Sequence, residues 1–308
     1  MVQNTSVRIH MPTSVGDLWR LIRYGRKRRL ASADLYLHHF KDKSGIEVGG
    51  PSKVFRTVLP IYATAASLDG VNFARQTVWE DSIDESKSYL YYKARAGKQF
   101  IREATHLSGI PSHSYQFLIS SNCLEHIANP LRALEEWLRV VEPNGLLMLI
   151  LPNKEINFDH RRLVTSFEHL LDDYRNQTEE DDLTHLEEIL ALHDLSRDPL
   201  AGDSRNFTER SLKNFENRCL HHHVFDAPLI QRVFEHFGVH IERIDTTRTD
   251  YLALGTIKKR AAPSPLPPQC RVFAPTSARA PRPAWPAWPS CGARRAFRGR
   301  QAALRLCS

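Results

Sequence analysis

The sequence predicts an α/β fold: a doubly wound, mostly parallel sheet with helices on both faces. Three observations predict it. Tyr115 to Ser120 and Leu146 to Leu151 are short continuous apolar runs, the pattern of strands buried on both faces. Between them Pro130 marks a helix start, and Leu131, Leu134, Trp137, Leu138 and Val141 recur at helical spacing up to a Pro143-Asn144-Gly145 turn. Strand, helix and strand make a βαβ unit with a right-handed crossover and parallel strands. Upstream, Ile46-Glu47-Val48 followed by Gly49-Gly50-Pro51-Ser52 reads as another short strand entering a tight loop.

The remaining elements are read in order. Residues 1–13 are expected to fray. Val15 to Phe40 reads as a helix over the sheet, interrupted near Gly25. Its basic run, Arg23 to Arg29, is a solvated cationic face or, on a sharper reading, a surface for phosphates or anionic lipid. Ser44 to Phe55 holds the first strand, Leu59 to Phe73 the second, and Gln99 to Leu107 the third with its exit loop. The fourth and fifth strands are the two apolar runs above. Ala227 to Phe237 is an amphipathic helix ended by Gly238, and His240–Ile244 and Tyr251–Ile257 read as the last two strands, the final one often antiparallel in a fold of this class. The organisation expected is therefore an N-terminal helical cover (1–43), a core (44–152), a helical insertion or lid after the fifth strand (153–226), the last helix and strands of the core (227–260), and a tail (261–308).

Composition narrows the function. The net charge of +7 misleads, because residues 261–308 hold eight arginines and no acid. The rest of the chain is near neutral and makes no bulk electrostatic case for nucleic acid. The tail also holds nine of the 18 prolines, so disorder is expected there, either as a polyanion-binding arm or as a translated extension. Cys270, Cys291 and Cys307 lie in the tail, leaving Cys123 and Cys219 in the body; this is neither a disulfide framework nor a CxxC zinc pair. No apolar run approaches the ~18 residues of a membrane span, and no signal-peptide core is evident near the N-terminus, so a cytoplasmic location is the expectation.

Asp69 lies 22 residues beyond Glu47, an interval that suits a carboxylate bonding two ribose hydroxyls; an Asp-Gly turn without a ligand is the plainer reading. Asn122 to His126 follows the fourth strand, at the edge where parallel sheets bind ligands. Residues 153–226 carry two narrow apolar stripes, Phe167-Leu170-Leu171-Tyr174 and Leu183-Leu186-Ile189-Leu190-Leu195, and many histidines. His169 and Asp173 stand at i, i+4, but acidic helices with scattered histidines read as solvated, and no metal site is expected. The run His221-His222-His223 is harder to dismiss and is given a substrate-binding or structural polar role, with an incidental exposed run as the plainer reading.

Ser121-Asn122-Cys123-Leu124-Glu125-His126-Ile127, then Arg139-Val140-Val141, Glu142-Pro143-Asn144-Gly145 and a strand closing on Pro152 form an ordered set. It resembles class I S-adenosylmethionine (SAM) methyltransferases, in particular the type 11 family. The resemblance covers residues 44–152 well and 227–259 loosely. It implies a Rossmann-like sheet, SAM as cofactor, and cofactor contacts from Glu47, Gly49, Gly50, Asp69, Glu103, Ala104, Asn122 and Leu124. Pro51 and Ser52 depart from the family's glycine-rich loop, Gln116 replaces its usual aspartate, and Asn144 replaces a turn glycine, which asparagine tolerates through left-handed dihedrals.

The activity implied is methyl transfer to an oxygen or nitrogen nucleophile of a small-molecule or saccharide-linked acceptor. An oxygen nucleophile needs a general base, and His126 and His160 follow the fourth and fifth strands at the cofactor edge. A non-catalytic SAM-binding or interaction module is the competing reading, supported by the half-lost glycine motif. A dehydrogenase is disfavoured by the lack of GxGxxG.

Overall fold

The computed structural model describes residues 29–77 and 83–258. The chain divides into two units, Met1–Ala261 and Ala262–Ser308, and every described residue belongs to the first. The basic run before Arg29 and the arginine-rich tail lie outside the described residues.

The strands are β1 (Ser44–Val48), β2 (Ser67–Asn72), β3 (Ser88–Tyr92), β4 (Arg95–Ile101), β5 (Tyr115–Ser121), β6 (Val141–Pro152), β7 (Val239–Thr246) and β8 (Asp250–Ile257). They form one sheet in the order β3-β4-β2-β1-β5-β6-β8-β7. The pairs β4-β2, β2-β1, β1-β5 and β5-β6 are parallel, and β6-β8 and β8-β7 are antiparallel. The antiparallel final strand is as expected. The hairpin β3-β4 was not expected. Its signal is the buried alternation of Tyr89 and Tyr91, with Lys93 turning the chain at φ 51°.

Helices cover both faces, which is why the central strands read as unbroken apolar runs. Along β6 the alternation is explicit: Leu147, Leu149 and Leu151 enter one core cluster, and Leu146, Met148 and Ile150 the other. The second cluster is closed by α1 (Asp34–Phe40), α2 (Lys53–Thr57) and α3 (Ile61–Thr64) through Tyr36, Phe40, Phe55, Ile61 and Tyr62. The first is closed by α4 (Pro130–Val140), with Trp137 fully buried. The Asn129 side chain caps α4 by accepting from the Arg132 N–H, and Pro130 occupies the first turn, where no N–H is missed. Asn144 takes φ 65°, the left-handed turn expected for it.

The insertion forms α5 (Phe167–Asn176), α6 (Leu186–Leu192), α7 (Ser204–Leu212) and α8 (Asn214–Asn217), before α9 (Ala227–His236) returns the chain to the sheet. Its own apolar cluster comprises only Ile189, Ala201, Phe207 and Leu220, with Leu186, Leu190 and Leu195 packed against it. Its histidines are not a solvated set: His193, His221, His222 and His223 are buried.

Candidate active site

A cavity of about 500 Å³ opens at the carboxyl ends of β1, β2 and β5. This is where the strand order reverses, and crevices at such points bind ligands in open α/β sheets. The loop leaving β1 forms one wall. Gly49 lies at φ 82°, and a Cβ there would stand 2.8 Å from Cys123 Sγ. A Cβ on Gly50 would stand 2.2 Å from both Glu47 Cδ and Tyr89 Oη. Both glycines line the cavity; Glu47 is sealed beneath them. Its carboxylate accepts from Tyr62 Oη at 2.5 Å, Tyr89 Oη at 2.6 Å and the Ser52 N–H at 3.1 Å. Burial pushes its pKa above the ordinary value, and these donors work against that. Glu47 thus orders the loop from behind rather than reaching a ligand's amino group.

In the second strand, Asp69 stands apart from the residues that line the cavity. Asp69 pairs with Ile46 in the middle of β2, and its carboxylate accepts from the Lys98 N–H at 2.7 Å and Tyr115 Oη at 2.8 Å. The residue at the strand's carboxyl end is Asn72, which lines the cavity and donates from Nδ2 to the Gly50 carbonyl at 3.1 Å. Counting from Glu47 selects a residue inside the strand; locating the end of the apolar run selects Asn72, which lines the cavity.

Glu103 and Ala104, beyond β4, line the cavity. The Ala104 carbonyl accepts from Trp137 Nε1 at 3.0 Å, which fixes the loop to α4. Glu103 accepts from Arg218 at 2.9 and 3.3 Å. Arg218 also pairs with Glu180 at 2.8 Å, and both Glu180 and Arg218 line the cavity from the insertion. Burial raises the Glu180 pKa to about 7, against the pull of Arg218. Their distance in sequence from the strands left them invisible to motif reading.

Beyond β5, Asn122 takes φ 50° and lines the cavity with Ser121, Cys123, His126 and Ile127. Burial, then the nearby Glu125 charge, pushes the Cys123 thiol up to about 12, so it is no thiolate nucleophile. Leu124 points into the core beside α4 and is not a cavity residue. His126 donates from Nδ1 to the Leu220 carbonyl at 3.0 Å, the role a carbonyl partner requires, which leaves Nε2 as the acceptor nitrogen. Burial, then the His221 charge, holds its pKa well below the ordinary value, so the ring is neutral near pH 7.

His160 is carried away from the cavity by the turn after β6 and bonds Asp194 Oδ2 at 2.9 Å. The histidine run does not line the cavity either. His221 Nδ1 meets Asp159 Oδ2 at 2.5 Å, His222 Nε2 meets Asn214 Nδ2 at 3.0 Å, and His223 Nε2 meets the Ala128 carbonyl at 3.2 Å. The three rings are buried supports of the insertion, with His221 edge-on to His126 at 4.5 Å between centroids.

Among the described residues no helix is long and apolar enough to cross a membrane. Among curated proteins no sequence matches the chain. Solved structures similar to it include a SAM-dependent methyltransferase from Aquifex aeolicus, at 11% identity and TM-score 0.42, covering 79% of this chain and 97% of that one. A SAM-dependent methyltransferase from Thermotoga maritima follows at 14% identity and TM-score 0.41, covering 79% and 96%. An arsenic(III) S-adenosylmethionine methyltransferase from Chlamydomonas reinhardtii is similar at 13% identity and TM-score 0.35, covering 72% and 65%. Likeness at that level carries no argument about what this chain methylates. The family model described as "Methyltransferase domain" matches residues 22–243, well over half of the chain, and the chain belongs to that family.

Proposed function

We infer that this methyltransferase acts on an oxygen or nitrogen nucleophile of a small-molecule or saccharide-linked acceptor, and that His126 takes the proton the acceptor loses. SAM, the cofactor expected of the family, supplies a methyl group activated on a sulfonium. The residues present fit it. The cavity volume lies in the range of small-molecule and cofactor sites. The Gly49-Gly50 loop leaves no room for a Cβ, so backbone is the surface offered there. In this reading the loop and Asn122 hold the amino-acid end, Asn72 holds the ribose, and Glu103 with Ala104 faces the base.

The observation that carries the catalytic assignment is the place of His126. It shares the cavity with the glycine loop, its tautomer is set by the Leu220 carbonyl, and burial keeps it neutral. A neutral imidazole with a carbonyl on Nδ1 accepts a proton on Nε2. The rest of the chain's contribution is orientation and exclusion of water, to which Glu180 and Arg218 add a wall from the insertion. Because Glu103 and Glu180 match Arg218, that wall offers hydrogen bonds more than net positive charge, which favours hydroxyl or amine acceptors over phosphorylated ones. The competing reading, a non-catalytic module, has no such support: the loop departures at Pro51 and Ser52 leave the cavity open.

The test is His126→Asn, which keeps a donor for the Leu220 carbonyl and removes the base. The expected result is a fall in kcat of ~100-fold or more with SAM affinity within about threefold. Unchanged kcat on the true acceptor removes His126 from the reaction. It is also the result expected of an acceptor that arrives already ionised, such as a thiolate, and it would then overturn the oxygen-or-nitrogen assignment.

A further inference from the structure

We propose that His169, His185, His223 and Asp173 form a zinc site that clamps the insertion beside the cavity. One ring nitrogen from each histidine lies within 4.8 Å of the others. His169 Nε2 is 2.9 Å from His185 Nε2, and Asp173 Oδ2 is 3.3 Å from His169 Nε2. His223 turns Nε2 to the Ala128 carbonyl at 3.2 Å, so its ligand atom is Nδ1. Tetrahedral zinc with bonds of about 2.0–2.1 Å places its ligands about 3.3 Å apart, and these two separations lie close to that value.

The polar accounting favours a cation. Asp173 Oδ2 and His223 Nδ1 are buried without a hydrogen-bond partner. Each such orphan costs about 1–3 kcal/mol, and a shared cation engages lone pairs that protons do not reach. The surroundings supply the outer contacts that orient metal-binding groups. The Ala128 carbonyl lies 3.2 Å from His223 Nε2, Glu188 Oε2 is 3.7 Å from His185 Nδ1, and Thr178 Oγ1 donates to Asp173 Oδ1 at 3.1 Å. Three imidazoles and one carboxylate are a borderline-soft set that suits zinc better than calcium or magnesium. Four protein ligands make a closed, structural site.

The site joins three separate stretches: α5, the entry to α6, and the extended segment before α9. The chain between His169 and His185 carries Glu180, which lines the cavity and accepts the Ala128 N–H at 3.3 Å. The clamp therefore holds the Glu180–Arg218 wall in place. It is independent of the acceptor and of the role given to His126.

The experiment is metal analysis of the full-length, tag-free protein after dialysis against zinc sulfate and gel filtration. The expected result is ~1 zinc per chain, replaced by Co²⁺ with the visible absorption of a tetrahedral site, and a melting temperature that falls by several degrees in EDTA. His185→Gln and Asp173→Asn each remove or weaken a direct ligand and should weaken zinc binding, His185→Gln by ~100-fold or more, above the ~10–100-fold that the loss of an outer contact costs. His38→Ala, in the adjacent pair His38-His39 on α1, and His126→Asn should bind zinc like the wild type. The proposal is overturned if the wild type retains no stoichiometric zinc and EDTA leaves its melting temperature unchanged. It is equally overturned if zinc is lost in His126→Asn but kept in His185→Gln, which would place the ion at the neighbouring Glu125, His126 and His221 group. If His185→Gln does not fold, the wild-type Co²⁺ spectrum and the EDTA shift decide.

Discussion

Two acids of similar appearance, Asp69 and Glu47, show how position decides a role that residue type does not. Asp69 was chosen by an interval, and the pleat of β2 places it mid-strand, where it serves Lys98 and Tyr115. Asn72 stands at the strand's end against the Gly50 carbonyl. Asn72→Ala should therefore weaken SAM binding by roughly 10-fold, the worth of one good polar contact in a cavity. Asp69→Ala should leave SAM affinity within about twofold and instead lower stability by about 1–3 kcal/mol, because a backbone N–H and a tyrosine hydroxyl lose their acceptor. Calorimetric titration with SAM and urea unfolding separate the two effects. If Asp69→Ala loses SAM affinity and Asn72→Ala does not, the assignment returns to Asp69. Gly49, Gly50, Glu103, Ala104, Asn122 and His126 were legible as cavity residues because each lies in the loop beyond a strand end, where local pattern and position agree. Glu180 and Arg218 were not, since their place depends on a long insertion whose path no local pattern encodes.

At the scale of elements, the βαβ unit was the most legible part of the chain. Apolar period, proline at the helix start and a turn at its end all specified the same structure, and consistency of that kind makes a segment readable. The insertion lacked it. Its leucine stripes are narrow because buried polar side chains replace much of the apolar packing, and a histidine that will be buried looks the same in sequence as one that will be solvated. The junction between the two parts is Asn129. Its Oδ1 accepts from the Arg132 N–H at 3.1 Å to cap α4, while its Nδ2 donates to the Asp173 carbonyl at 3.0 Å on α5. Asn129→Ala should cost about 2 kcal/mol, roughly one for the cap and one for the buried bond to α5. Asn129→Ser, which caps but does not reach Asp173, should lose about half of that. Equal losses in the two variants, measured by urea unfolding, would show that the cap alone matters.

For the whole molecule, the question is whether the sheet and the insertion stand or fall together. The sheet has two extensive apolar clusters, one on each face. The insertion's own cluster is small, and Arg162 does much of the tying. That side chain is buried and pairs with Asp159 at 3.2 Å and Glu188 at 3.1 Å. It also donates to the carbonyls of His221 at 2.7 Å and His222 at 3.2 Å. Removing one partner of such a network leaves buried charge and carbonyls unmatched, at a cost of about 3–5 kcal/mol. The central strands owe their stability to apolar burial that Arg162 does not touch. Arg162→Met should therefore accelerate amide hydrogen exchange in residues 153–226 by ~100-fold or more, while the amides of β1, β5 and β6 keep their wild-type protection. The expected phenotype is an ordered sheet with an opened wall: cavity residues on the strand ends remain in place, and Glu180 and Arg218 lose theirs. SAM affinity should then fall less than kcat, because the loop after β1, Asn72 and Asn122 belong to the sheet and its own loops. An equal loss of protection in β5 and β6 would show instead that the insertion and the sheet unfold as one cooperative unit.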